Sequence, residues 1–256
     1  MRLAPWAPTA YARIFSISDK HIMMFSQHVN TETQGATTTD GGGPPVPSSR
    51  QWSMTLEPQY WDKRYAARKL VWTADANRFL VAETEDLRAG RALDLASGEG
   101  RNAVWLAEQG WAVRAVDFSG VATEKAVRMA ISRDVHERVD FQTADLRSFD
   151  PGVKCFDLVV LVYLQLPQVE LVPILERAAQ AVAPGGTFLL VAHDSDNLLR
   201  GSGGPQHPEL LYTAEQVVAA LRNELTIEKA SQVSRIIDTQ DGIQVAIDCL
   251  VRAKRI

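Results

Sequence analysis

Residues 93–110, LDLASGEGRNAVWLAEQG, constrain the fold more than any other part of the chain. A short apolar strand over 92–95 carries an acidic residue, Asp94, near its end. Gly98 and Gly100 turn the chain, and a helix through Asn102, Val104, Leu106 and Ala107 runs to Gly110. A strand that passes through a glycine turn into a helix opens a crossover unit, and the pattern repeats downstream. Strands are predicted at 112–116, 139–142, 156–164, 187–192, 225–233 and 243–251. Helices are predicted at 58–70 and 74–87, from Ser119 as N-cap to about 131, at 169–182 and at 213–221. In the last of these, Thr213 and Gln216 fit a capping box. Pro173 is tolerable only near the start of its helix. Such alternation predicts an α/β fold, a doubly wound, mostly parallel sheet covered on both faces. The link at Asp241-Gly242 is too short for a crossover helix, so the last two strands pair as an antiparallel hairpin at one edge.

Composition narrows the chemistry. Of 256 residues, 27 are Lys or Arg and 31 Asp or Glu, a net charge of −4, so bulk charge attracts neither nucleic acid nor anionic lipid. Two cysteines, Cys155 and Cys249, make neither a disulfide framework nor a zinc site, which places the chain in a reducing cytoplasm. No apolar run approaches the roughly 18–20 residues that span a bilayer, and no membrane partner is expected. Over residues 31–50, Ala36 and Val46 are the only apolar side chains apart from Gly and Pro. Residues 1–53 are therefore expected to be a disordered extension and 54–256 the folded domain.

Glycine at 98 and 100 lets a ligand approach the backbone at the carboxyl end of a strand, where open α/β sheets bind their ligands. Gly98, Gly100 and Ala103 fit a dinucleotide fingerprint, and two glycines also simply make a turn. Asp94 tilts the choice of ligand: an anion there repels a pyrophosphate and attracts an ammonium. The next strand ends at Asp117, which can accept from both hydroxyls of a ribose, and Asp145 follows the third. An ammonium, a ribose and an adenine without phosphates describe S-adenosylmethionine (SAM).

On LDLASGEG, VDFS (116–119), TADL (143–146), FDLVVLVYLQLP (156–167) and APGGTFLL (183–190), the chain from about Tyr60 onward resembles a class I SAM-dependent methyltransferase of the small-molecule group that includes tellurite- and thiopurine-type enzymes. It departs in having Ala96-Ser97 where that family often has Gly-Cys. The resemblance implies a Rossmann-like, seven-stranded sheet with an antiparallel last strand. It further implies Asp94 at the methionine ammonium and Ala96, Gly98 and Gly100 as backbone cradle. Asp117 would hold the ribose, Phe118 and Leu146 the adenine ring, and Asp145 the adenine amino group. Tyr163 would edge the methyl-transfer cleft, and Trp61, Tyr65 and Trp72 would form a lid.

The implied reaction is in-line displacement of a methyl group from SAM, leaving S-adenosyl-L-homocysteine (SAH), to an O, S or related chalcogen atom of a small-molecule acceptor. A base is needed only if the acceptor arrives protonated. His193 and Asp194, at a strand end, and His207, in the loop at 201–208, are the candidates. Nucleic acid is not an expected partner: the chain has Tyr163-Leu164-Gln165-Leu166-Pro167 where amino-directed DNA enzymes carry an Asn/Asp-Pro-Pro-aromatic turn. No metal is expected. The alternatives are a non-catalytic SAM-binding protein and an NAD(P)-dependent oxidoreductase.

Overall fold

A computed structural model describes residues 57–239 and 242–256. The extension expected at 1–53, and Asp241 of the hairpin link, lie outside the described residues. Seven strands make one sheet: β1 (Arg91–Leu95), β2 (Ala112–Asp117), β3 (Val139–Thr143), β4 (Phe156–Val162), β5 (Val182–His193), β6 (Thr226–Thr239) and β7 (Gly242–Lys254). Their spatial order is β3-β2-β1-β4-β5-β7-β6. The first five are parallel, and β7 lies antiparallel between β5 and β6. The sheet is the doubly wound one the sequence predicts, with the terminal hairpin at its edge. Chain order reverses between β1 and β4, so their carboxyl ends open the crevice in which such sheets bind ligands.

Alternation along the strands builds two cores. Leu93, Val159 and Leu161 face one way, onto α5 (Gln168–Ala181) and α7 (Ala214–Leu221). Ala92, Leu158 and Val160 face the other, onto α2 (Arg78–Thr84) and α3 (Arg101–Glu108). Strands buried on both faces read as continuous apolar runs, as FDLVVLV does. α1 (Pro58–Ala66) packs on α4 (Gly120–Ser132), and α6 (Asn197–Arg200) is one short turn after β5.

Several boundaries shift for local reasons. Asn77, 5% exposed, accepts from the amides of Phe79 and Leu80, so α2 begins at Arg78 and not at 74. The Ser119 cap and the Thr213–Gln216 capping box form as predicted. Pro173 sits inside α5, where the amide it lacks would have reached back to the exposed Val169 turn. β6 runs past its expected end at 233 and β7 past its expected end at 251 because the two pair along their whole length, to Thr239 opposite Gly242.

Gly100 holds φ +82, and a Cβ there would lie 2.6 Å from the Cβ of Ala126 on α4. Its role is to let α3 start in contact with α4. Gly100→Ala adds a left-handed strain and a steric clash, each worth about 1–3 kcal/mol. Urea denaturation should show the variant on the order of 2–4 kcal/mol less stable; an unchanged midpoint would contradict this packing.

Candidate active site

At the carboxyl ends of β1, β2 and β4 lies a cavity of about 970 Å³, within the range of small-ligand pockets. Twelve of the residues singled out in the sequence line it: Trp61, Tyr65 and Trp72; Ala96 and Gly98; Asp117 and Phe118; Asp145 and Leu146; Tyr163; His193 and His207. Asp94, Gly100 and Asp194 do not. Gly100 is turned to α4, and Asp94 lies directly behind the glycine turn.

The turn after β1 is locked by the neighbouring strand. Ser97 donates to the Val116 carbonyl at 3.0 Å, and the Gly98 amide donates to Asp117 Oδ2 at 2.8 Å. Asp117 Oδ1 accepts from the Ser119 amide at 2.9 Å. Burial pushes the Asp117 carboxyl up to about 6, although the Ser119 and Gly98 amides hold it back. Asp94 is 1% exposed, and neither of its oxygens reaches hydrogen-bond geometry with any described residue. Burial first, and the charge of Asp117 second, push it up to about 7, against a partial offset from Arg101 and the Ala103 amide. A buried carboxyl without a partner is costly, and this one stands where a cation would complete it.

An aromatic segment closes over the turn. Trp61 and Tyr65 of α1 have ring centroids 5.6 Å apart, and the Arg64 guanidinium sits 5.0 Å from the Trp61 ring and 5.1 Å from Trp72. A Cβ on Gly98 would stand 3.0 Å from the Tyr65 hydroxyl, so the glycine leaves room for the lid as well as a ligand. Burial raises the Tyr65 phenol. The segment is stapled down by a pair the sequence reading overlooked. Glu99, 3% exposed, accepts from the Val71 and Trp72 amides at 2.9 and 3.2 Å. Lys125 of α4 donates to Glu99 at 2.9 Å and to the carbonyls of Tyr65 and Arg68. Asp62 of α1 accepts from the Ser119 hydroxyl at 2.5 Å.

At the far end, His193 finds an acid, but not Asp194. The Asp194 carboxylate is turned off the cavity and accepts from the Asp196 amide and Gln232, both at 2.9 Å. Strand alternation explains this, since neighbours in sequence point to opposite faces. The acid beside His193 is Asp248 of β7, 0% exposed and directly opposite it in the strand register. His193 Nδ1 lies 3.2 Å from Asp248 Oδ1. Asp248 Oδ2 accepts from Tyr163 at 2.8 Å and from Arg235 Nε at 3.0 Å. Burial raises the Asp248 carboxyl, yet contacts with His193 and Arg235 and the Arg235 charge outweigh it and hold it below the ordinary range. The Tyr163 and His193 rings are 4.8 Å apart, and Arg235 lies 5.4 Å from the Tyr163 ring. Asp248 and Arg235 carry a sequence signal only in hindsight: an Asp within the apolar run 245–251 needs a partner. Asp145 is held bidentate by Arg147, with distances of 2.7–3.0 Å. No cluster of three or more His, Cys, Asp or Glu among the described residues could hold a metal.

A family model described as a methyltransferase domain matches residues 92–186. A thiopurine S-methyltransferase of Vibrio cholerae is 26% identical over 159 residues, 54% of this chain and 71% of that protein. A 27-O-demethylrifamycin SV methyltransferase of Amycolatopsis mediterranei is 29% identical over 141 residues, 54% of this chain and 51% of that one. Among solved structures, the N-methyltransferase NodS of Bradyrhizobium japonicum, in complex with SAH, superposes with a TM-score of 0.59. It is 16% identical, over 77% of this chain and 97% of NodS, which is a likeness of fold.

The residues present fit SAM: Asp94 is an orphaned carboxyl for the ammonium, and Gly98 is a backbone cradle that a larger side chain would fill. The raised Asp94 has a consequence for stability. A carboxyl whose folded pKa lies above its unfolded value stabilises the fold only while protonated, and that contribution is lost as pH rises from about 4 to about 7. Asp94→Asn cannot ionise. Without ligand, its stability relative to wild type should therefore improve by on the order of 2–4 kcal/mol between pH 4 and pH 8. Urea titrations at the two pH values test this, and a pH-independent gap would contradict it.

Proposed function

We infer that this class I SAM-dependent methyltransferase passes its methyl group to an oxygen, sulfur or related chalcogen atom of a small molecule by in-line displacement. SAM, when bound, supplies an electrophilic sulfonium methyl, so the protein's task is mostly alignment. Orientation alone can give effective molarities of 10⁵ M or more, roughly 7 kcal/mol of the barrier. Asp94 takes the ammonium, directly or through water, and gains the cation its burial lacks. Ala96 and Gly98 present backbone to the methionine portion, and Gly100 acts one step back by seating α3. Asp117 is held by two amides with its remaining lone pairs toward the ribose. Phe118 and Leu146 flank the adenine, and Asp145, braced by Arg147, meets its amino group. Trp61, Tyr65 and Trp72 exclude water from above, and Tyr163 edges the path of the methyl. His193 is the group placed to take a proton; His207, on the loop across the cavity, stands behind it as a second candidate.

A small acceptor is supported above all by the enclosure. The cavity, about 970 Å³, is lined on one side by the aromatic segment and on another by the loop that brings Gly204 against His193, a volume in the range of small-molecule sites. The names of the two curated relatives point the same way. An NAD(P)-dependent reaction is disfavoured by Asp94, which would face a pyrophosphate. Both cysteines are free, and we place the chain in a reducing cytoplasm. No helix among the described residues is long and apolar enough to cross a membrane.

Calorimetric titration with SAM, SAH and NAD⁺ should show binding of the first two at about micromolar affinity, near −8 kcal/mol, and none of the third. SAH release should then be driven by small hydroxy- or mercapto-compounds and not by DNA, RNA or protein. Binding of NAD⁺ in place of SAM, or turnover confined to a macromolecule, would overturn the reading.

A further inference from the structure

Asp248 is a charge that cofactor binding does not use. It is fully buried in the middle of an apolar strand, and each of its oxygens is directed at the cluster that ends the cavity. Oδ2 is occupied by Tyr163 and Arg235; Oδ1 has only His193 Nδ1, 3.2 Å away as an ion-pair contact short of full hydrogen-bond geometry, and neither of those two atoms makes a hydrogen bond to any other described residue. A carboxylate at Nδ1 selects the imidazole tautomer that carries its proton on Nδ1, and this leaves the Nε2 lone pair on the opposite edge of the ring, toward the cavity. Arg235 already balances Asp248, and Arg101, which also senses Tyr163 and Arg235, adds positive potential nearby. Tyr163 does not compete as base: burial, and then the Asp248 charge, raise its phenol, so it stays protonated and donates to Asp248. Asp194 is turned away.

We propose that Asp248 is a positioning residue that makes His193 the general base for an acceptor hydroxyl, so that the acceptor class is an alcohol, phenol or enol. This rests on the methyl-transfer reading above. The proton moves from the acceptor oxygen to His193 Nε2: the O–H bond breaks, the N–H bond forms, and the electron pair stays on oxygen. That pair forms the new bond to the methyl carbon as the carbon–sulfur bond breaks, with its electrons passing to the sulfonium sulfur. SAH, a methyl ether and an imidazolium result, and the imidazolium later releases its proton to water. A thiol, with a pKa of about 8.5, is partly ionised near neutrality without help, whereas a phenol near 10 needs the base.

Nitrogen-15 NMR of the imidazoles in the SAH complex, with the His193 signals assigned by their loss in His193→Gln, reads the tautomer directly. The wild-type neutral ring should carry its proton on Nδ1. Asp248→Asn, whose amide can donate to Nδ1, should move the proton to Nε2 while SAH still binds. A wild-type ring protonated on Nε2 would overturn the proposal without recourse to any variant. So would a tautomer unchanged in a folded Asp248→Asn protein. SAH release should fall at least about a hundredfold in His193→Gln with hydroxyl acceptors; wild-type turnover of thiols with the matched hydroxyl compounds inert, or hydroxyl turnover unchanged in His193→Gln, would also overturn it. Failure of wild type to bind SAM and SAH would strike the methyl-transfer reading instead, whereas SAH binding with the wrong tautomer removes only the base.

Discussion

A carboxyl group is buried at the end of β1 with neither oxygen in hydrogen-bond geometry with any described residue, and the rest of the site is arranged around it. Asp94 is buried by the sheet below and by the glycine turn in front, and that burial lifts it to about 7. A core residue chosen for stability would not be an acid at this position. The turn at Ala96–Gly98 can lie so close because Ala96 and Gly98 adopt positive φ and Asp117 gathers the Gly98 and Ser119 amides. In the proposed reading the chain stores an electrostatic penalty where an ammonium would relieve it, and that relief would be part of the affinity.

The second buried acid has the opposite design. Asp248 is paired inside the protein, with Tyr163 and Arg235 bonded to one oxygen and His193 3.2 Å from the other. Its effect is to hold a ring in place, not to wait for a ligand. Neither acid lines the cavity itself: Asp94 lies just before the turn that does, and Asp248 lies beside Tyr163 and His193, which do; the aromatic segment is fastened by a third acid, Glu99, through Lys125 and two amides. In the proposed reading these buried charges divide the work: Asp94 would meet the cofactor, Glu99 fastens the aromatic segment, and Asp248 would orient the group that faces the acceptor. They sit at the end of β1, in the turn after it and in the middle of β7, which is how a sheet whose order reverses at β1 and β4 brings distant segments to one place.

Much of this was legible in the sequence because it is written locally. The strand–glycine–helix unit, the acids at the ends of β1 and β2, and the caps at Ser119 and Thr213 each involve residues within a few positions of one another. The links that escaped are long-range. Asp248 and His193 are 55 residues apart and meet only through the register of β5 on β7; Asp194, a candidate base beside His193 in sequence, has its carboxylate turned to Gln232 and the Asp196 amide. Glu99 read as one more turn residue because its partners, the amides of Val71 and Trp72, bear no side-chain signature. Gly100 read as part of the cradle, whereas its open side faces Ala126. Which side of a glycine is crowded is a tertiary fact.

A crystal structure of the chain with SAH bound tests the central claim most directly. The account predicts the ammonium of SAH at Asp94, directly or through one water, and the ribose hydroxyls on Asp117. Its sulfur would point along the cavity toward Tyr163 and His193. SAH bound elsewhere, or bound in the cavity with Asp94 still lacking any partner, would contradict it.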